Sequence, residues 1–252
     1  MHSILLFPLS LFQIINFSLI FIVLVFFIKY IWSVFYDKTY QPVQWEHKVK
    51  TKQLSKELVR LERNYPDKVR FFNFWFQIER LQKENTKGCF AELGVYKGDT
   101  ARIIHKIDPS RKFYLFDTFE GFNTKDLDVE TGEAATYTSQ NFAETNINKV
   151  KKYINGNENI IFRKGYFPET TKGLENEIYA FVNMDADLHN PTKEGLLYFY
   201  PRLAPGGIII IHDYNYKWEG AVKAVDDFVK TIPESLIQLP DMQCSVMINK
   251  NK

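Results

Sequence analysis

The sequence predicts an α/β fold: a mostly parallel sheet with helices on both faces, closed by an antiparallel hairpin and preceded by one transmembrane helix. Three observations carry this. From residue 89 onward, apolar runs of strand length alternate with stretches of helical periodicity, the pattern of successive βαβ units. The first run, within Cys89-Phe-Ala-Glu-Leu-Gly-Val-Tyr-Lys-Gly-Asp-Thr100, stops at a glycine and restarts as a helix. Ser3 to Ile28 carry no charge and are rich in Ile, Leu, Val and Phe, long enough as a helix to cross a hydrocarbon core of about 30 Å.

At the N-terminus, Pro8 separates a short interfacial piece from a span expected at Leu9 to Tyr30, with Tyr30, Trp32, Phe35 and Tyr36 at headgroup level. A cleaved signal peptide would need a basic start, a shorter apolar region and small residues before the cut. None is visible. On the C-terminal flank Lys29, Lys38, Lys48, Lys50 and Lys52 outnumber Asp37 and Glu46, which predicts a single-pass membrane protein with its globular part on the cytoplasmic side. The expected organisation is an anchor at 1–36, helical linker and cap helices at 37–87, and the α/β domain at 88–252.

The chain has 252 residues, 45% of them hydrophobic and 16% aromatic, ample for one sizeable core. A formal net charge of +2 gives no large field of one sign, which argues against nucleic acid as the main partner. Cys89 and Cys244, the only cysteines, make neither a disulfide framework nor a zinc cluster.

Between Lys50 and Lys87, Leu54, Leu58 and Leu61, then Phe72, Trp75, Phe76 and Glu79, fall at helical spacing on either side of Pro66, predicting two helices. The cluster Phe71, Phe72, Phe74, Trp75 and Phe76 reads as packing against the core, with a substrate or dimer surface as the alternative. Strands are expected at Lys112 to Asp117, Asn159 to Lys164, Tyr179 to Asp185 and Gly206 to His212. Ile208 to Ile211 are too continuously apolar for a half-exposed strand and belong inside the sheet. Helices are expected at Thr100 to Ile107, Phe142 to Ile154, Thr192 to Tyr200 and Glu219 to Thr231, and a hairpin from Leu236 to Asn249. Phe119 to Asn141, with little apolar periodicity, reads as a long loop, either a lid over a substrate or a surface insertion.

The glycine loop has three ligand readings. A phosphate loop needs Gly-x4-Gly-Lys-Ser/Thr, but Gly98 is followed by Asp99. A dinucleotide fingerprint needs Gly-x-Gly-x-x-Gly, which Gly94 and Gly98 do not provide. S-adenosylmethionine (AdoMet) fits best, because no phosphate must be held and Glu92 suits its ammonium group. An ordinary turn, with Asp99 or Thr100 capping the helix, is the alternative.

Ligands of open α/β sheets bind beyond the carboxyl ends of the strands. Four such ends are acidic: Glu92, Asp117, Asp185 with Asp187, and Asp213. Asp117 lies about twenty residues past the loop, where a carboxylate can accept hydrogen bonds from ribose hydroxyls. Asp185 and Asp213 should converge, and they have no evident cationic sequence neighbour, so a cation or a proton between them is expected. His212 or His189 could serve as a base.

From about Asn64 to its end the chain resembles the macrocin O-methyltransferase (TylF/MycF-like) family of class I AdoMet-dependent methyltransferases. The resemblance rests on Ala91-Glu-Leu-Gly-Val-Tyr-Lys-Gly-Asp-Thr100, Phe116-Asp-Thr-Phe-Glu-Gly121, Met184-Asp-Ala-Asp-Leu188 and Leu203-Ala-Pro-Gly-Gly-Ile-Ile-Ile-Ile-His-Asp-Tyr214. It implies a Rossmann-like sheet and metal-assisted methylation of sugar hydroxyls. It also implies cofactor roles for Glu92, Gly94 and Asp117, with Gly98, Thr100 and Thr118 beside them, and metal-ligand positions at Asp185 and Asp213. The family's macrolide enzymes carry Asp-Asp where this chain has His212-Asp213. Magnesium prefers oxygen ligands, so His212 implies an altered metal set, magnesium or manganese. Asp185, His212 and His189 are the expected catalytic residues. The acceptor is expected to be a small-molecule, nucleotide-linked or lipid-linked saccharide, and a homo-oligomer is left open. The rivals are a hydroxylase of the cephalosporin hydroxylase type on the same fold, and a catalytically idle, membrane-tethered binding module.

Overall fold

A computed structural model describes residues 10–36 and 40–251. Pro8, Leu9, Asp37 and Lys38, which carried parts of the membrane reading, lie outside the described residues, as do the side chains of Phe35 and Tyr36. The chain forms two compact units, Met1–Glu46 and His47–Lys252.

The first unit contains α1 (Leu11–Tyr36). Its Leu11–Val34 segment has a mean hydropathy of 2.7 with none of it buried. Apolar side chains on every face of an uncovered helix suit a lipid surround, and among the described residues this helix alone is long and apolar enough to cross a membrane. A short helix, α2 (Val43–Lys50), follows it in the chain.

The second unit begins with α3 (Lys56–Asn64) and α4 (Lys68–Lys83), with the break at Pro66. Both starts are capped: Ser55 accepts from the Leu58 amide at 3.1 Å, and Asp67 from the Arg70 amide at 2.9 Å. Phe71, Phe72, Phe74 and Trp75 are buried, and the Phe74 ring meets Phe181 edge-on at 6.1 Å. Four of the five clustered aromatics are therefore core; Phe76 stays partly exposed.

The sheet elements follow as β1 (Cys89–Leu93), α5 (Asp99–Ile107), β2 (Phe113–Asp117), α6 (Thr124–Leu127), α7 (Ile147–Ile154), β3 (Ile160–Lys164), β4 (Tyr179–Met184), α8 (His189–Phe199), β5 (Leu203–Ile211), α9 (Glu219–Val229), β6 (Ile237–Gln238) and β7 (Val246–Asn249). Their order across the sheet is β3-β2-β1-β4-β5-β7-β6. The first five strands pair in parallel, and β7 returns antiparallel between β5 and β6. Ile208 to Ile211 lie buried between β4 and β7. Chain order reverses between β1 and β4, and that switch point opens the crevice in which ligands of such sheets bind.

Two elements differ from expectation. Asn146 caps α7 by accepting from the Asn148 amide at 2.9 Å, so the helix starts at Ile147; Phe142 sits in the left-handed region with its ring edge-on to Tyr96. The 119–141 segment is not structureless, since it contains α6 and a 3-10 turn at Ala134–Thr136.

Candidate active site

A cavity of about 540 Å³ lies at the carboxyl edge of the parallel strands. One side is the loop from Leu93 to Thr100 after β1; the other includes Asp185, Asp187, His212 and Asp213 after β4 and β5.

The loop is shaped by glycine. Gly94 has φ +85°, and a Cβ there would lie 1.9 Å from the Asp185 carbonyl oxygen. Only a residue without a side chain lets β1 turn that close to the end of β4. Gly98, at φ +88°, occupies the N-cap of α5 with no side-chain cap. The expected capping by Asp99 or Thr100 is thus not made: Asp99 already lies inside the helix, where it accepts from the Tyr153 hydroxyl at 2.5 Å.

Asp117 lines the cavity, but its first task is internal. Oδ2 accepts from the amides of Val95 (2.7 Å) and Tyr96 (2.8 Å), and Oδ1 from that of Phe119 (2.5 Å). A carboxylate offers about four acceptor positions, so one remains for a ligand hydroxyl. Thr118 donates to the Gly121 carbonyl at 2.6 Å and closes the next turn. Asp117→Ala is expected to lower both AdoMet affinity and unfolding free energy, each by about 1–3 kcal/mol, because loop amides lose their acceptor. Titration calorimetry and thermal melts check this; a folded variant with unchanged AdoMet affinity removes Asp117 from the site.

Glu92 does not line the cavity, whose wall begins at Leu93. Its carboxyl is wholly buried, with Oε1 accepting from Asn183 Nδ2 at 2.7 Å. Burial pushes its pKa up to about 8. A direct pairing with the ligand's ammonium, the role expected from sequence, is not what this placement offers.

The residues after β4 and β5 do converge. Register pairs Met184 with Ile211, so Asp185 and His212 follow side by side. His212 Nδ1 lies 3.0 Å from Asp185 Oδ1 and 2.9 Å from Asp213 Oδ2. One ligand atom from each of the three falls within 4.8 Å of the others. The cation that sequence neighbours did not supply comes from α4: Arg70 Nη2 donates to Asp185 Oδ2 at 2.9 Å. Burial opposes charge on Asp185, yet His212 and Arg70 together hold its carboxyl below the usual carboxylate range. His212 is also disfavoured as a cation by burial, but Asp185 and Asp213 push its pKa up to about 9. Asp187, in the left-handed region at φ +61°, is raised well above an ordinary aspartate by burial and then by Asp185 and Asp213.

His189 is corrected by its placement. It does not line the cavity; Nδ1 lies 3.0 Å from the Gly220 carbonyl and its amide donates to Glu130 Oε1 at 2.6 Å. The ring joins α8 to α9, which leaves it no evident part in proton transfer.

Residues the sequence reading did not single out complete the wall. Tyr65 and Arg70 come from the helices before the sheet, and Tyr137 and Trp218 present rings 5.3 Å apart and 39° inclined. The 119–141 segment contributes Phe122, Asn123, Asp126, Glu133 and Tyr137. For Arg70 the only sequence signal is a cation set in an aromatic helix, Arg70-Phe-Phe-Asn-Phe-Trp75.

A mostly parallel sheet in this order, with a glycine loop after its first strand and acidic groups at its carboxyl edge, defines a class I Rossmann-like methyltransferase fold. Within that class the chain belongs to the macrocin O-methyltransferase (TylF) family, whose profile matches residues 34–246. The chain is 25% identical over 156 residues to an 8-demethyl-8-(2,3-dimethoxy-alpha-L-rhamnosyl)-tetracenomycin-C 4'-O-methyltransferase of Streptomyces olivaceus. It is 28% identical over 159 residues to the mycinamicin III 3''-O-methyltransferase of Micromonospora griseorubida. These matches cover 58% of this chain, and 60% and 62% of those enzymes' own lengths. Among solved structures, the O-methyltransferase NovP superposes with a TM-score of 0.64 at 23% identity, over 73% of this chain and 81% of its own. The calicheamicin methyltransferase CalS11 gives 0.59 at 18% identity, over 84% and 98%.

Proposed function

We propose that this protein is an AdoMet-dependent O-methyltransferase that acts on a sugar hydroxyl with the help of a divalent cation, anchored to a membrane by α1 with its catalytic domain in the cytoplasm. The observation that carries this reading is that one cavity holds both the glycine loop with Asp117 and the Asp185–His212–Asp213 cluster. Family membership supports methyl transfer over hydroxylation. The tetracenomycin rhamnosyl and mycinamicin enzymes, by their names, support a glycosidic acceptor.

The donor set fits a divalent cation. One ligand atom from each of two carboxylates and an imidazole lies within 4.8 Å of the others, a mixture that suits manganese better than magnesium. Asp185, Asp213 and His212 would hold the ion, His212 losing the proton it carries between the carboxylates. When bound, such an ion supplies Lewis acidity that lowers the pKa of the acceptor hydroxyl.

The chain's own groups do the rest. Gly94 and Gly98 leave the loop open to close approach, and Asp117 offers its remaining acceptor position to a ribose hydroxyl. Tyr137 and Trp218 present ring faces on which a sugar can stack. Asp187 lines the cavity beside the Asp185–His212–Asp213 cluster and is placed to accept the hydroxyl proton. AdoMet, when bound, would supply the methyl on its sulfonium, and the protein would contribute alignment of the two reactants.

In this reading, residues 1–36 are the anchor, 37–87 supply the linker and the helices that complete the site, and 88–252 form the methyltransferase domain. The anchor raises the local concentration of a lipid-linked saccharide. The full chain in detergent is expected to bind AdoMet by titration calorimetry and to methylate lipid-linked or nucleotide-linked sugars. It should also stay with membranes through an alkaline carbonate wash. Absence of AdoMet binding would leave the idle binding module as the better account, and extraction by carbonate would end the anchor reading.

A further inference from the structure

One salt bridge does not account for the donors of Arg70. Its side chain is 7% exposed, yet it lines the cavity. Among the described residues the guanidinium makes a single hydrogen bond, from Nη2 to Asp185 Oδ2. Nε is buried without a partner, and Nη1 makes no hydrogen bond. A guanidinium has five N–H donors, and burying most of them unpaired is costly unless an acceptor arrives.

The group is also held in place. The Arg70 amide donates to Asp67 Oδ1 at 2.9 Å, and Asp67 Oδ2 accepts from the Met242 amide at 2.8 Å, so the first turn of α4 is tied to the segment between β6 and β7. Phe74 lies beneath the guanidinium, 5.5 Å from ring centroid to Cζ. A rigid, desolvated, half-used fork of donors is the arrangement that recognises a carboxylate.

The other cations of the wall do not compete for that role. His212 is engaged by two carboxylates. Lys97 is exposed and pairs with Glu144 at 3.3 Å, and Lys217 is exposed at the mouth.

Sheet order says which anion reaches Arg70. With a ribose at Asp117, after β2, an AdoMet molecule runs past β1 toward β4, where Asp185 and Arg70 lie. Two strand spacings of about 4.8 Å put β4 roughly 10 Å from β2, a span that the ribose together with the sulfonium and its amino-carboxypropyl chain can cover. The methionine carboxylate is the one anionic group AdoMet carries at neutral pH. We propose that Arg70 is its anchor, holding Asp185 through Nη2 and the AdoMet carboxylate through Nη1, the terminal nitrogen that is neither bonded nor fully buried. This rests on the AdoMet reading above. It makes the helices before the sheet part of the cofactor site, and it joins the cofactor's tail to a residue of the acceptor side through one guanidinium.

The test compares AdoMet with decarboxylated AdoMet, which lacks only the carboxylate, by titration calorimetry on the full chain in detergent micelles. The wild type is expected to prefer AdoMet by about ten- to hundredfold, the range for a charged hydrogen-bonded pair. Arg70→Met is expected to erase that preference, binding both ligands with similar affinity. Arg70→Lys should fall between, because an ammonium keeps the charge without the fork. Equal affinities in the wild type overturn the proposal even if the Met variant does not fold. So does a preference retained in Arg70→Met, or an equal weakening of both ligands, which is what a purely structural role or an anionic group on the acceptor as the true partner would give. Failure of the wild type to bind either compound would instead sink the AdoMet reading itself.

Discussion

Asp213→Asn is expected to lower turnover by at least about two orders of magnitude while changing AdoMet affinity little, the pattern for loss of a ligand on the acceptor side. Asp213 is buried and its Oδ2 faces His212 Nδ1 at 2.9 Å; asparagine keeps the shape and removes the charge. The glycine loop, held by Asp117, is untouched. The companion measurement is methyl transfer after chelation and after adding back each ion. Activity should vanish with excess chelator and return more fully with manganese than with magnesium, because His212 supplies nitrogen where an oxygen would suit magnesium. Full activity in excess chelator would remove the cation and leave proton transfer to Asp187 as the chemistry to test.

Gly94→Ala is expected to cost about 3 kcal/mol or more of stability, or to prevent folding of the α/β unit. The added Cβ would lie 1.9 Å from the carbonyl oxygen and 2.6 Å from the carbonyl carbon of Asp185. These are backbone atoms at the point where the Asp185 amide donates to the Leu93 carbonyl at 2.8 Å, so relief would require the two strands to part. The left-handed φ adds a further cost for any side chain. Gly98→Ala should be milder, since the nearest atoms its Cβ would meet are side-chain atoms of Val150 and Ile154 at 2.9 to 3.2 Å. A Gly94→Ala protein with the melting temperature and AdoMet affinity of the wild type would refute this account of the loop.

Much of the scaffold was legible because each strand carries its own evidence. Ile208 to Ile211 are apolar on both faces and lie buried inside the sheet, as unbroken hydrophobicity requires. The break at Pro66 and the turn at Gly94 follow from what proline and glycine do to the backbone, wherever they stand. Even the meeting of Asp185 with His212 and Asp213 could be read from the chain, since adjacent parallel strands deliver their terminal residues to one edge.

Which way each polar group faces was another matter. Arg70 reaches Asp185 across 115 residues, and nothing in its local pattern separates it from a surface arginine. Glu92 and His189 had the right chemistry and the right neighbourhood in sequence. Yet Glu92 lies below the cavity wall with Asn183, and His189 is turned to the Gly220 carbonyl. Asp117 lines the cavity, but three backbone amides already use it. Periodicity and turn chemistry are local properties, so the sequence by itself determined the elements, their order and the acidic edge of the sheet. Side-chain partners are chosen by what packs alongside after folding, so only the tertiary structure decided that the cation beside Asp185 is Arg70, and that the helices ahead of the sheet help to build the site.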